Sequence, residues 1–366
     1  MKCVRAVRPA YKISNAPIIL RSRFSSAAKL QQTDPQAVAD SFLSKFANGK
    51  TFSRKQLLDA NQLRLFSLTL DRPHLWPGSS LLAKSLEEAE PAQGTPIPPA
   101  YHWIYFTPAQ LPGILGLDGT DASFNRMHHL RRMWAGGSVE WPGADPASAQ
   151  NHFLQVGDTV TETTKLLSCV PKVMKDGNAM LVVGVEKEYH DSKGNLCLID
   201  RRNWVFREAL DPSKPATSPK KPTELSQAEL DERDQGKIVR EYNRDELQLF
   251  RMSALTFNGH RIHYDKPWAT EVEGHRNIVV HGPLNLIAML DLWRDESVKQ
   301  GLGKTRDEII YPRKVDYRAT SPVYAGEPYR VLLDAGTLGQ HTDAQVEVRS
   351  NDGTKCMKGT VSTWQG

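Results

Sequence analysis

His281-Gly282-Pro283-Leu284-Asn285-Leu286-Ile287-Ala288-Met289-Leu290-Asp291-Leu292-Trp293 is the stretch that decides the fold. Pro283 suits the first turn of a helix, because its missing amide hydrogen would have no partner there. Apolar residues lie on nearly every face of the predicted helix, which is typical of a buried helix. Segments with strand-like composition follow at 329–333, 344–348 and 356–364. This pattern predicts an α+β fold in which an antiparallel sheet wraps around a central helix.

The first half of the chain weakly repeats the order of predicted elements found in the second half. Val156-Gly157-Asp158 and Ala325-Gly326-Glu327 are turn signals, and each precedes strand-like segments and a hairpin. The hairpins are predicted at 180–189 with 196–206, and at 344–348 with 356–364. Two hairpins also match by chance, but the shared order favours duplication of one α+β unit.

Proline-rich and acidic sequence at 208–238 predicts a linker, with Asp211-Pro212-Ser213-Lys214-Pro215 as its clearest part. The predicted organisation is therefore a first domain at 35–207, the linker at 208–238 and a second domain at 239–366. A length of 366 residues suits two domains.

The amino-terminal residues 1–33 contain seven Lys and Arg and no acid, whereas the whole chain contains 47 basic and 42 acidic residues. A basic, Ser-containing and acid-free start predicts a mitochondrial transit peptide, and hence a matrix protein. The rest of the chain has a net charge near −2, which argues against nucleic-acid binding. No apolar run reaches the roughly 18 residues of a membrane span. Four isolated cysteines predict neither disulfides nor a zinc site.

The residues suited to catalysis lie between 258 and 282. A buried helix start offers free amide hydrogens, and the Gly282 amide is the candidate donor to a developing enolate oxygen. One such donor contributes about 3–4 kcal/mol to a transition state. A histidine is the natural acid–base group at neutral pH, and His260 and His263 lie in the polar run 258–265. A short strand at 278–280 is predicted to aim the helix start. A base and an enolate donor are what dehydration of a β-hydroxy thioester requires.

Five contiguous motifs of this sequence are typical of one enzyme family. They are Ser253-Ala254-Leu255-Thr256-Phe257-Asn258-Gly259-His260-Arg261-Ile262-His263-Tyr264-Asp265, Glu273-Gly274, Val279-Val280-His281-Gly282-Pro283-Leu284, Pro98-Pro99-Ala100-Tyr101-His102-Trp103 and Arg131-Arg132-Met133-Trp134-Ala135-Gly136-Gly137. With these motifs the chain resembles the mitochondrial hydroxyacyl-thioester dehydratase type 2 family of MaoC-like (R)-specific hydratases. That resemblance implies a double hot-dog fold: two tandem antiparallel sheets, each wrapped around a central helix, with a degenerate first unit and a catalytic second unit. It also implies an acyl carrier protein or CoA thioester as the substrate carrier, mitochondrial type II fatty-acid synthesis as the setting, and no cofactor.

The catalytic loop departs from the wider MaoC-like pattern Ser-Gly-Asp-x-Asn-Pro-x-His. Aligned on its final histidine, this pattern matches His263, but its Asp falls on Asn258 and its Asn on His260. An amide cannot act as a carboxylate base. The resemblance therefore implies that His263 is the general acid/base and that Asn258 orients water or substrate. His260 or Asp265 would supply the missing ionisable partner, and Asp265 could equally cap a turn.

Several alternatives stay open at this level. His260-x-x-His263 has the form of a metal pair, but no third ligand accompanies it, so no metal is expected. A hydratase of short branched dicarboxylic CoA thioesters, such as mesaconyl-CoA or itaconyl-CoA, would need a cation for the distal carboxylate. A non-catalytic acyl-binding module and either a monomer or a homodimer also fit. The candidate cations are Arg251, Arg261 and Arg276.

Overall fold

The structure is a computed structural model that describes residues 34–47, 49–84, 87–88, 90–121, 130–145, 148, 151–173, 179–302, 309–339 and 343–364. The predicted transit peptide at 1–33 lies outside these residues. The helices are α1 (Pro35–Phe46), α2 (Ala60–Thr69), α3 (Gln227–Arg233), α4 (Glu246–Leu255) and α5 (Gly282–Lys299). The strands are β1 (Thr51–Leu57), β2 (Ala83–Lys84), β3 (Glu87–Glu88), β4 (Leu130–Glu140), β5 (Thr159–Val173), β6 (Ala179–His190), β7 (Leu196–Glu208), β8 (Lys237–Tyr242), β9 (Lys314–Ala319), β10 (Tyr329–Asp334), β11 (Asp343–Ser350) and β12 (Lys355–Ser362).

Ten of these strands form one antiparallel sheet in the order β1-β5-β6-β7-β4-β9-β12-β11-β10-β8. Each half of the chain contributes five neighbouring strands. The halves join where β4 pairs with β9, from Gly136 opposite Arg318 to Glu140 opposite Lys314. The predicted α+β class is confirmed, and so are both predicted hairpins, β6–β7 and β11–β12. The two predicted sheets are continuous, because β4 and β9 satisfy each other's edge hydrogen bonds.

Helix α5 begins at Gly282, as predicted, and packs against β10, β11 and β12. Residues 284–294 are all buried. The buried Asp291 carboxylate among them is paired, since it accepts hydrogen bonds from Arg294 Nη2 (2.8 Å) and from the Tyr101 hydroxyl (3.0 Å). Tyr101 belongs to the first half, so the core of the second half is closed partly by the first.

In the described part of the first half, a 3-10 turn, Tyr101–Ile104, lies in the core, and no helix there is as long as α5. The turn cannot lengthen, because Phe106 has a left-handed φ of 52° and Pro108 follows it. Helix α1 covers the far end of this half of the sheet, where Phe42 and Phe46 pack with Leu181. The described residues of the two halves therefore differ in the length of the helix that lies against the sheet.

Two local predictions need correction. The segment 208–238 is only partly irregular: it holds α3, whose Ser226 and Glu229 form a capping box, and β8 begins at Lys237. The segment 278–280 is not a regular strand, since Val279 makes one isolated bridge to Tyr324. None of the described helices is both long and apolar enough to cross a membrane.

Candidate active site

The loop that follows α4 carries the predicted catalytic residues. Phe257 turns the chain with a φ of 50°, and the Asn258 Oδ1 atom accepts a hydrogen bond from the His260 amide (3.1 Å). A backbone N–H can only donate, so this bond fixes the orientation of the Asn258 amide. The Asn258 Nδ2 group has no partner among the described residues and is free to hold a ligand oxygen.

His263 lies in the next turn, Arg261–His263, and is 7% exposed. Its Nδ1 lies 2.7 Å from the Val279 carbonyl oxygen, which can only accept, so Nδ1 carries the proton. The Nε2 atom therefore keeps a lone pair. It has no protein partner in the described part of the chain, yet it is not sealed from solvent. Burial, followed by the charge of His260, lowers the pKa of His263 to about 3, so His263 is a neutral base at pH 7.

His281 stacks on His263, with ring centroids 3.6 Å apart and an interplanar angle of 16°. Its Nε2 lies 3.0 Å from the Ser253 hydroxyl oxygen, which fixes the ring against α4. Burial and then the neighbouring His263 lower the pKa of His281 well below its ordinary value. His281 is the cap residue of α5, so the stacking couples the orientation of His263 to the start of that helix.

His260 faces two carboxylates. Its Nε2 lies 3.6 Å from Glu273 Oε1 and 3.8 Å from Asp118 Oδ2. Its ring stands nearly perpendicular to that of His263, with centroids 5.4 Å apart. The donor atoms of Asp118, His260 and Glu273 all lie within 4.8 Å of one another, so the cluster differs from the predicted pair of His260 and His263.

Asp118 reaches this cluster from the first half through a close contact of two backbones. A Cβ atom on Gly119 would lie 1.9 Å from the Gly259 carbonyl oxygen, so only glycine fits there. The Arg261 amide also donates to the Asp118 carbonyl oxygen (2.7 Å). No local sequence signal indicates Asp118, because the contact joins residues about 140 positions apart.

Glu273 is tied to several neighbours at once. It accepts hydrogen bonds from Trp268 Nε1 (2.9 Å) and Arg131 Nη1 (3.2 Å). Burial opposes its ionisation, but His260, Trp268 and Arg131 outweigh that penalty and lower the pKa of Glu273 to about 2. Glu273 and Arg131 lie in motifs that carry the family resemblance, but the sequence alone did not predict that either residue lies near His260.

Gly282 starts α5 beneath an aromatic side chain of the first half. A Cβ atom on Gly282 would lie 2.4 Å from Trp134 Cε3, and Trp134 in turn stacks on Tyr317 at 4.8 Å. Within the described residues, the Gly282 amide has no hydrogen-bond acceptor. An unpaired amide at a helix start, covered by an indole ring, is suited to stabilise negative charge away from bulk water.

Asp265 has partners for both carboxylate oxygens. Its Oδ1 accepts from the Trp268 amide (3.1 Å), and its Oδ2 pairs with Arg261 Nη2 (2.6 Å). This arrangement matches the turn-capping alternative. The site thus brings together Asn258, His260, His263 and the Gly282 amide, and uses Asp265 to fasten the turn beside them.

The chain is similar to known proteins in both family and fold. The family model for hydroxyacyl-thioester dehydratase type 2 matches residues 100–325. Mesaconyl-C(4)-CoA hydratase of Chloroflexus aurantiacus is 30% identical over 275 residues, which cover 74% of this chain and 85% of that protein. The mitochondrial hydroxyacyl-thioester dehydratase type 2 of Schizosaccharomyces pombe is 25% identical over 263 residues, covering 68% and 81%.

Two solved structures share the fold. A MaoC-like dehydratase superposes with a TM-score of 0.57 at 14% identity, covering 89% of this chain and 100% of that one. A Mycobacterium tuberculosis protein described as a double hotdog superposes with a TM-score of 0.50 at 11% identity, covering 87% and 96%. The protein is therefore a hydro-lyase with a double hot-dog fold. Within that class, the chain belongs to the hydroxyacyl-thioester dehydratase type 2 family.

Proposed function

We propose that the protein removes water from (R)-3-hydroxyacyl thioesters to give trans-2-enoyl thioesters, and catalyses the reverse hydration. The observation that carries the proposal is the state of His263. Its Nδ1 proton is committed to the Val279 carbonyl, so the accessible Nε2 atom is a neutral base. The two other groups that the reaction needs, an enolate donor and a water-holding amide, are the unpaired groups of Gly282 and Asn258.

In the dehydration direction, His263 Nε2 takes the proton from the carbon next to the thioester carbonyl. The electron pair of that C–H bond moves toward the thioester oxygen, where the Gly282 amide donates to the developing enolate. The enolate then re-forms the carbonyl, the new C=C bond forms and the bond to the β-hydroxyl breaks. His263 returns its proton to the departing oxygen, and the Asn258 Nδ2 group holds the water that results. Atoms and charges balance without a cofactor.

The cellular setting we propose is mitochondrial type II fatty-acid synthesis, with acyl carrier protein or CoA carrying the acyl group in the matrix. The acid-free basic segment at 1–33 supports this location, and so does the name of the fission-yeast relative. Fusing residues 1–33 to a fluorescent reporter tests the location. A reporter that stays in the cytosol would contradict it and leave the chemistry unaffected.

The activity is tested with the purified full chain and (R)-3-hydroxyacyl-CoA substrates of several chain lengths. We expect enoyl thioester absorbance to rise with (R) substrates and not with (S) substrates. Binding of the thioesters without turnover, by a chain shown to be folded, would contradict the proposal and favour an acyl-binding module.

A second candidate, hydration of short branched dicarboxylic CoA thioesters, is favoured by the name of the Chloroflexus relative. The three predicted cations give it little support. Arg261 is paired with Asp265, Arg276 is paired with Glu327 (2.6 Å), and Arg251 is exposed on α4. Comparing kcat/KM for mesaconyl-CoA with that for a medium-chain 3-hydroxyacyl-CoA separates the two. We expect the monocarboxylic substrate to be preferred.

A further inference from the structure

We infer that His260 is a second proton-transfer group of the active site, held in place by Asp118 from the first half of the chain and by Glu273 from the second. The inference rests on the proposed function and deepens it. Asn258 cannot exchange a proton, and Asp265 already holds the Trp268 amide and Arg261, so His260 is the remaining candidate beside His263 for a reaction that moves two protons. The geometry assigns that second place to His260.

The first argument is the orientation of the ring. Nε2 of His260 faces the two carboxylates, which leaves Nδ1 pointing elsewhere. Nδ1 has no hydrogen-bond partner among the described residues and is not sealed from solvent, unlike the buried Nδ1 of His281. The open nitrogens of this cluster are therefore Nδ1 of His260 and Nε2 of His263, on rings whose centroids are 5.4 Å apart.

The second argument is the balance of charge. Asp118 is 6% exposed, and its Oδ2 has no hydrogen-bond partner among the described residues. Glu273 is paired with Arg131 (3.2 Å), which leaves the Asp118 Oδ2 atom without such a partner. A buried carboxylate oxygen without a partner is strongly unfavourable, and His260 Nε2 faces it at 3.8 Å. The groups that face or surround His260 are Asp118, Glu273, Arg131, His263, His275 and His281.

The third argument is the difference between the two histidines. The positive charge of His260 is one of the causes, after burial, that keep His263 neutral. His263 presents its open nitrogen as a base, whereas His260 lies beside two carboxylates. In dehydration, His263 Nε2 takes the α-proton, and His260 Nδ1–H replaces His263 as the group that gives a proton to the β-oxygen when the C–O bond breaks and water leaves. His263 is then protonated and His260 neutral, and solvent exchange restores both.

The positioning role is tested with Asp118→Asn and Glu273→Gln, and with Glu241→Gln as a matched control on an exposed carboxylate. We expect each test variant to lower kcat for dehydration about 10-fold to 100-fold at pH 7. We also expect the pH profile of kcat to change in each test variant, because the carboxylate that faces His260 Nε2 belongs to the proton-transfer unit. Asp118→Glu should restore part of the profile, and Glu241→Gln should behave as the unaltered chain.

A second measurement does not depend on turnover. The imidazole NMR signals of the full chain, with His260 assigned from a His260→Gln variant, report when that ring titrates. A lower titration midpoint in Glu273→Gln supports the inference even if no tested thioester is a substrate, in which case only the proposed function fails. Unchanged midpoints and pH profiles in both folded variants would overturn it. So would one tightly bound divalent ion per chain that activity requires, because the ion would occupy the place of the Nε2 proton.

Discussion

At the scale of single residues, the protonation of His263 is set by two features. The Val279 carbonyl decides which ring nitrogen carries the proton, and burial decides that the ring is neutral. Sequence reasoning assigned the base to His263 from the motif. The structure supplies the reason that this histidine, among three neighbouring ones, presents an open lone pair.

The first prediction concerns activity. His263→Gln removes the base but keeps a polar side chain of similar reach. We expect kcat to fall at least 100-fold, because a positioned acid–base group contributes about 100-fold to 10,000-fold. His152→Gln alters a half-buried histidine near Asp191 and serves as the control, with activity expected to stay near the original. Full activity in His263→Gln would remove the residue from the mechanism.

The second prediction concerns stability against pH. The pKa of His263 is about 3 in the folded chain against about 6.5 when unfolded, so the unfolded chain binds more protons as the pH falls from 6.5 toward 3. Stability is therefore lost over that window, by up to about 1.4 kcal/mol per pH unit for this one group. His281 acts in the same direction. Chemical denaturation at pH 7 and pH 5 should show that the free energy of unfolding falls less in His263→Gln than in the unaltered chain. An equal fall in both would contradict the assignment of this pH dependence to His263.

At the scale of elements, helix α5 can begin beneath the Trp134 ring only because Gly282 has no side chain. Its Cα lies under Trp134, which β4 of the first half supplies. The sequence predicted both the helix and its first residue, since Pro283 and the apolar pattern are local signals. The sequence did not predict that the Trp134 indole covers Gly282, because the pairing of distant strands brings Trp134 to that position.

The third prediction follows from this contact. Gly282→Ala puts a methyl group 2.4 Å from Trp134 Cε3, so the ring or the helix start must shift. We expect a loss of about 1–3 kcal/mol in the free energy of unfolding, as in other overpacked sites, together with a fall in kcat. Gly113→Ala, where a Cβ atom meets nothing within 4 Å, is the matched control. Trp134→Leu combined with Gly282→Ala should recover stability, and failure to do so would show that Trp134 is not the obstacle.

The fourth prediction separates the two interpretations of Asp265. Because its oxygens hold the Trp268 amide and Arg261, we expect Asp265→Ala to lower the free energy of unfolding by about 1 kcal/mol, as loss of a cap does. Asp265→Asn keeps the acceptor and should retain most of the turnover. A loss of kcat in Asp265→Asn as large as that in His263→Gln would instead make this carboxylate a participant in proton transfer.

At the scale of the whole molecule, the two halves share one sheet and the proposed active site. The first half contributes strand β4, the Trp134 ring, the Tyr101 bond to α5 and the Asp118 carboxylate. The second half therefore depends on the first for structure, and in the proposed function for chemistry as well.

The fifth prediction is that residues 239–366 alone do not form an active enzyme. Removing the first half exposes the edge of β9 and the core around α5, which favours aggregation. Size-exclusion chromatography and the enoyl assay check this. Co-expression of 34–207 with 208–366 should restore soluble protein if the β4–β9 pairing is sufficient, and an active isolated 239–366 would refute the shared site.

Local sequence signals were sufficient to predict several structural features and one candidate site residue of this protein. The buried helix, its start at Gly282, the hairpins and the candidate base His263 all follow from short-range periodicity, turn residues or a contiguous motif, because such features depend on neighbours in the chain. Tertiary structure alone decided that the two sheets join at β4 and β9, that Trp134 covers the start of α5, and that Asp118 and Glu273 meet at His260. Those outcomes depend on strand edges and buried charges finding partners far along the chain, and no local pattern encodes which partner that is.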